Sequence, residues 1–379
     1  MLKIDTSENS MNYIINILKY PSDCTNYPTL LKKEEFKSFL DILNRNRLTS
    51  FLQHYITCVR CIKKTTWSTK QEINERLLHL KTKRIVYSDI KIKLKSFLRR
   101  HNVPYLILKD HLENKIKGYP SFYIPLKFDL DIMGNKNDLF IFRTLICSLG
   151  YYNQKREFGS ANWSISQYKF KPLKMKKYYP QIEFRFKAIT TRLNLQTDII
   201  NQKNINDFSQ ELLNSVRKKP KDKFEPFLEQ KLVHLCLIFF IEDMCKGLNN
   251  LFRIFLFLKT YQKYIDWEKI RAITQKYKVT KVVNFVIFLA NSVFNGNRTG
   301  INTKISRDFL LLRKLITNKY IINSFYNAII INREISSDFY AHFVLSAVLA
   351  EVSFWQKIIF FLNPRRFFIL FKYTFLSNS

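Results

Sequence analysis

Lys127-Phe128-Asp129-Leu130-Asp131-Ile132 closes a stretch that opens with Val103-Pro104-Tyr105-Leu106-Ile107-Leu108-Lys109-Asp110, and its alternation decides the fold. Side chains in a strand point to opposite faces in turn. Phe128, Leu130 and Ile132 therefore share a face suited to burial, while Asp129 and Asp131 project together from the other. At strand rise their Cα atoms stand about 7 Å apart, close enough for both carboxylates to converge on one divalent cation. An acidic pair on the wet face of an edge strand is the plain alternative. The apolar run from Pro104 to Leu108 reads as a preceding strand, with Gly118-Tyr119-Pro120 in an irregular passage between the two.

Working outward, a second alternating strand runs from Gln181 to Lys187. Ile182, Phe184 and Phe186 share one face, and Glu183, Arg185 and Lys187 the other. Between the two, Gly134-Asn135-Lys136-Asn137 makes a turn, and Leu139, Phe142, Leu145, Ile146 and Leu149 line a helix that stops at Gly150. Phe158 to Phe170 reads as one or two further strands, followed by a lysine-rich segment. On the N-terminal side, apolar residues at helical spacing recur from Glu34 to Leu43 and from Leu48 to Ile62. One helix then covers Ser68 to Leu80, and another, capped by Ser88 or Asp89, buries Ile90, Leu94, Phe97 and Leu98. From Gln202 the chain reads as helical to its end. Leu228 to Ile241 is apolar all round and so deeply buried, Leu248 to Tyr261 forms a second helix, and Asp266 caps a third. His234, inside the apolar helix, reads as a hydrogen-bonded core residue.

These patterns predict an α+β protein, predominantly helical, with a small mixed sheet flanked by helical regions. The expected units are residues 1–87, 88–200 and 201–379. With 46% hydrophobic and 15% aromatic residues the chain is too apolar for general disorder, and 7 glycines exclude collagen-like or glycine-loop architectures. Its 63 basic against 30 acidic residues give a net charge of +33, which favours polyanionic partners such as nucleotides, nucleic acid, acidic glycans or an anionic membrane surface. The six cysteines sit mostly in apolar periodic stretches, as reduced thiols do, and Cys58-Val59-Arg60-Cys61 lacks the second pair of a zinc site. No secretory signal opens the chain, and no apolar run approaches the roughly 20 residues of a membrane span. A cytoplasmic protein is expected, with peripheral membrane attachment through its basic, aromatic tail as an option.

The motif order resembles an uncharacterised nucleotidyltransferase family of the DNA polymerase β-like superfamily. Leu108-Lys109-Asp110, Tyr119-Pro120, Asp129-Leu130-Asp131 and the helix ending Leu149-Gly150-Tyr151 stand where that family has Leu-Lys-Gly, Tyr-Pro, Asp-x-Asp and the following helix. Ile182-Glu183-Phe184-Arg185 stands where it has a hydrophobic-Asp-hydrophobic-His strand. The resemblance implies a nucleotidyltransferase core and transfer of a nucleoside monophosphate from a nucleoside triphosphate to an acceptor, in polysaccharide or secondary-metabolite biosynthesis. It implies Mg2+ or Mn2+ held by Asp129, Asp131 and Glu183, with Lys109, Ser121, Lys127 and Arg185 as nucleotide contacts. The acceptor, be it sugar phosphate, small molecule, protein or RNA, is left open. Two positions depart from the pattern: Asp110 replaces the glycine, and Ile124-Pro125 stands where an arginine is usual. The alternative is a catalytically degenerate basic protein of the same fold that binds nucleic acid or an anionic membrane surface.

Overall fold

A computed structural model of the chain describes residues 14, 17–18, 39–44, 46, 48–52, 67–108, 129–153, 167–173, 178–189, 202–217, 227–243, 245, 247–295, 349–353 and 355. Five strands form one mixed sheet: β1 (Leu106–Ile107), β2 (Asp129–Met133), β3 (Tyr151–Asn153), β4 (Gln167–Pro172) and β5 (Gln181–Arg185). The order across the sheet is β1-β2-β5-β4-β3, with β2 and β5 parallel and every other pair antiparallel. The α+β reading holds.

One face of the sheet is apolar, as the alternation requires. Leu130, Ile132, Ile182, Phe184 and Phe170 are buried there against Phe142, Leu145 and Ile146 of α2 (Leu139–Ser148). Gly150 ends that helix with φ 83°, a conformation glycine adopts without a Cβ penalty, and donates its N–H to Cys147. The same core takes Ile90, Leu94 and Leu98 from α1 (Trp67–Arg100), a single helix where two were expected. No glycine or proline interrupts residues 67–100. Asp89, expected as a cap, instead lies 2.8 Å from Lys93 one turn on, an ion pair of the helix interior. Residues 87 and 88, either side of the expected first boundary, lie in mid-helix.

The opposite face meets a helical assembly: α3 (Gln202–Arg217), α4 (Leu228–Leu237) with a π-helical extension (Ile238–Glu242), α5 (Leu248–Tyr261), α6 (Trp267–Lys276) and α7 (Thr280–Asn295). The expected apolar helix from Leu228 thus changes its winding at Ile238. Asp266 caps α6 as expected, its Oδ1 accepting N–H bonds from Glu268 and Lys269 at 3.1 and 3.2 Å. Ile14, Phe39, Leu43, Phe51, Ile73 and Leu77 join this second core, so the two ends of the chain share it. Asn46 accepts the first N–H of α5 at 2.9 Å, and Phe51 meets Phe252 edge-on. Among the described residues no helix is long and apolar enough to cross a membrane. The expected Cys58–Cys61 pair and the tail beyond Trp355 lie outside the described residues, as do residues 154–166 of the expected strand region.

Gly134, the turn residue after β2, donates its N–H to the Arg185 carbonyl at 3.0 Å. A Cβ there would stand 2.8 Å from the Phe184 ring. Gly134→Ala is therefore expected to cost about 1–3 kcal/mol of stability through overpacking, read from the urea midpoint.

Candidate active site

The β2–β5 register sets the polar face. Asp131 is the direct neighbour of Glu183, and Asp129 that of Gln181. Lys169 of β4 pairs with Glu183 on the other side. Neighbouring strands lie about 4.8 Å apart, so the carboxylates of Asp131 and Glu183 must meet unless something separates them. Arg185 does so. Its Nη2 lies 2.8 Å from Glu183 Oε2 and 3.3 Å from Asp131 Oδ2, and its Nη1 donates to Glu242 Oε1 at 2.7 Å. Glu183 Oε1 accepts from Gln181 at 3.1 Å and pairs with Lys169 at 3.2 Å.

Burial makes this cluster consequential. Asp131 is wholly buried and Glu183, Arg185 and Glu242 are 4–6% exposed, whereas Asp129 is half-buried at the start of β2. Burial disfavours the charged guanidinium, but attraction by Asp131, Glu242 and Glu183 outweighs it and holds Arg185 above the ordinary arginine range. Three buried carboxylates face two cations, Arg185 and the partly exposed Lys169, and Asp129 adds a further negative charge. Among these six side chains the acids outnumber the bases, within a strongly basic protein.

Of the expected site residues, Asp129, Asp131, Glu183 and Arg185 share one face; Lys109, Ser121 and Lys127 lie outside the described residues, as does Asp110. Arg185, expected at the nucleotide, is bound by three carboxylates. Glu242 was not foreseen. It arrives from the helical assembly, 57 positions after Arg185, at the last residue of the π-helical extension. Its signal in sequence is the acidic pair Glu242-Asp243 directly after Ile238-Phe239-Phe240-Ile241. π-helical turns recur at functional sites because they re-aim a side chain that a regular helix would bury elsewhere. His234 has the core role expected of it, its Nε2 lying 3.1 Å from the Ala188 carbonyl just past β5.

The model of a family described as an uncharacterised nucleotidyltransferase matches residues 32–295. The chain belongs to that family. No curated protein and no solved structure matches it. The matched span runs from the N-terminal helical region through the sheet to the end of α7, so the family unit includes Glu242 as well as the three strand acids.

The resemblance drawn from the sequence implies divalent magnesium or manganese, and the donor set answers in part to such an ion. Asp129 and Asp131 offer the hard oxygens it takes. Glu183 does not complete a three-carboxylate set, because both its oxygens are engaged by Gln181, Lys169 and Arg185. Among the described residues no group of three His, Cys, Asp or Glu side chains forms a metal site.

A concave feature lies elsewhere, on the helical assembly: a pocket of about 720 Å³ lined by residues including Glu211, Asn214, Gln230, Lys276 and Tyr277. Partial burial would raise the Glu211 carboxyl, but hydrogen bonds from Lys276 and Tyr277 hold it below the ordinary carboxylate range. Burial, then the Glu211 contact, pushes the Tyr277 phenol up to about 12.

Two outcomes follow. Arg185→Met should lower stability by about 3–5 kcal/mol in urea unfolding, since it leaves buried carboxylates uncompensated. Arg185→Lys should lose less, keeping the charge without the fork. At Glu211 the folded pKa lies below the unfolded one, so its contribution is present above the unfolded value and vanishes as pH falls through the folded one. Glu211→Gln should therefore be less stable than wild type at neutral pH, with the gap in thermal midpoint closing only below about pH 4.

Proposed function

We propose that the chain transfers a nucleoside monophosphate from a nucleoside triphosphate to an acceptor at the polar face of the sheet, the acceptor oxygen bonding to the α-phosphorus as the α–β phosphoanhydride breaks and pyrophosphate leaves. The observation that carries this reading is the parallel β2–β5 register, which sets Asp131 beside Glu183 with Asp129 two residues before it on the same face. Membership of a nucleotidyltransferase family supports the class of reaction.

Asp129 and Asp131 are the residues that would hold Mg2+ or Mn2+. When bound, the ion neutralises phosphate oxygens and stabilises the charge that develops as the phosphoanhydride opens. Asp129 is half-buried at the start of β2, and the wholly buried Asp131 anchors the pair. Arg185, fixed by three carboxylates, lies between Asp131 and Glu183 and offsets their mutual repulsion. Lys169, 24% exposed at its side chain and paired with Glu183, is a candidate phosphate contact. Lys109, Ser121 and Lys127 belong to the same proposal as nucleotide contacts from the β1–β2 connection. With its phosphates bound in line and water excluded, transfer depends on positioning and electrostatics rather than on a covalent enzyme intermediate.

A specific observation favours the second reading, a degenerate basic protein of the same fold: Arg185 already occupies the centre of the acidic cluster. One experiment separates the two. Thermal denaturation is followed with Mg2+ and each of the four nucleoside triphosphates. A triphosphate at a hundredfold excess over its Kd should stabilise the wild type by about 2.7 kcal/mol, and Asp129→Ala with Asp131→Ala should abolish the shift. No shift with any triphosphate, alongside salt-sensitive RNA or anionic-vesicle binding that survives the double substitution, establishes the second reading instead.

A further inference from the structure

The Arg185 cluster says more about this site than its acidity, on the reading just proposed. A divalent cation shared by β2 and β5 would have to sit where an Asp131 oxygen and a Glu183 oxygen both point. That position is taken. Asp131 Oδ2 and Glu183 Oε2 both face one nitrogen, Arg185 Nη2, and Glu183 Oε1 is turned away to Lys169 and Gln181. Arg185 is only 6% exposed and is tied from behind by Glu242 on a different element, so it cannot swing aside without abandoning a third carboxylate. A divalent cation placed between those same two oxygens, Asp131 Oδ2 and Glu183 Oε2, would also meet the guanidinium at close range and be repelled. Asp129 belongs to none of these ion pairs and is half-buried, so among the described residues the place left for a cation is on the Asp129–Asp131 side.

We infer that Arg185 stands in for one of the two cations of a carboxylate-bound metal pair, so that this site holds a single divalent ion at Asp129 and Asp131. Arg185 supplies a fixed positive charge in place of the other. Glu183 and Glu242 then act as positioning residues for Arg185 rather than as ligands. The substitution accounts for the company Arg185 keeps. A neutral side chain at that position would leave Asp131, Glu183 and Glu242 without the charge that all three share.

The test uses Mn2+ on the full chain. Equilibrium dialysis and electron paramagnetic resonance are run on the protein alone and with an equimolar non-hydrolysable triphosphate analogue. One Mn2+ per chain, with the six-line spectrum of an isolated ion in both states, is expected. Asp129→Asn should remove it. Arg185→His should gain a second Mn2+, with the broadened spectrum of a spin-coupled pair about 4 Å apart, and its thermal midpoint should rise on adding Mn2+. Two Mn2+ per wild-type chain, or a coupled spectrum with the analogue, overturns the inference while leaving the proposed function standing. So does a folded Arg185→His that still takes one. If that variant does not fold, the wild-type stoichiometry and spectrum decide alone. No Mn2+ on the wild type overturns the proposed function and this inference with it.

Discussion

The guanidinium of Arg185 is the constraint on which the rest of the structure turns. It joins the two central strands through Asp131 and Glu183, and joins the sheet to the helical assembly through Glu242. Nearby contacts reinforce the same junction: Ser209 accepts the Ala188 N–H at 3.1 Å, and His234 lies at hydrogen-bonding distance from the Ala188 carbonyl. The helical assembly is thus docked at the C-terminal end of β5 by polar contacts set into an apolar surround. Buried ion clusters add little net stability, because desolvation offsets much of the attraction. Their effect is on specificity: an apolar interface tolerates sliding, whereas a forked cation with three fixed partners admits one placement.

That placement explains the two separate cores. The apolar face of the sheet is filled by α1 and α2, and the polar face by a helical assembly that must leave the acids their partners. α1 spans the division. Its first half contributes Ile73 and Leu77 to the helical core and its second half Ile90, Leu94 and Leu98 to the sheet core. A helix of 34 residues extends about 51 Å, so one rigid element ties both layers.

Much of this was legible in the chain because period-two alternation is a strong signal. Phe128 to Ile132 and Ile182 to Phe186 announced their faces, and the faces alone put Asp129, Asp131, Glu183 and Arg185 together once the strands paired. Gly150 and Asp266 were equally readable, since stop and cap signals are local. Three things were not. The parallel pairing that makes Asp131 and Glu183 neighbours is a property of the sheet, and no strand by itself declares its partner. The single helix over Trp67–Arg100 was hidden by Ser88 and Asp89, residue types that cap helices but also sit inside them when an ion pair one turn away repays the choice. Glu242 was hidden most thoroughly, because its role depends on a change of helical winding and on docking across 57 positions.

The contrast of charge between surface and site gives the fold its chemical logic. A net charge of +33 draws polyanions from a distance, and α1 alone exposes Lys81, Lys93, Arg99 and Arg100. At the polar face the sign reverses, with Asp129, Asp131, Glu183 and Glu242 against Arg185 and Lys169. A bare anion is therefore attracted by the envelope and repelled at the last few ångströms, where the acids are least screened. On the proposed reading, an anion that arrives with its own divalent cation would meet no such reversal, because the cation would satisfy Asp129 and Asp131 while the phosphates remain within the field of the basic surface. On the proposed reading this is a selection step. It favours a cation-bound triphosphate over free phosphate, sulfate or nucleic acid, and it operates before any base or sugar is recognised.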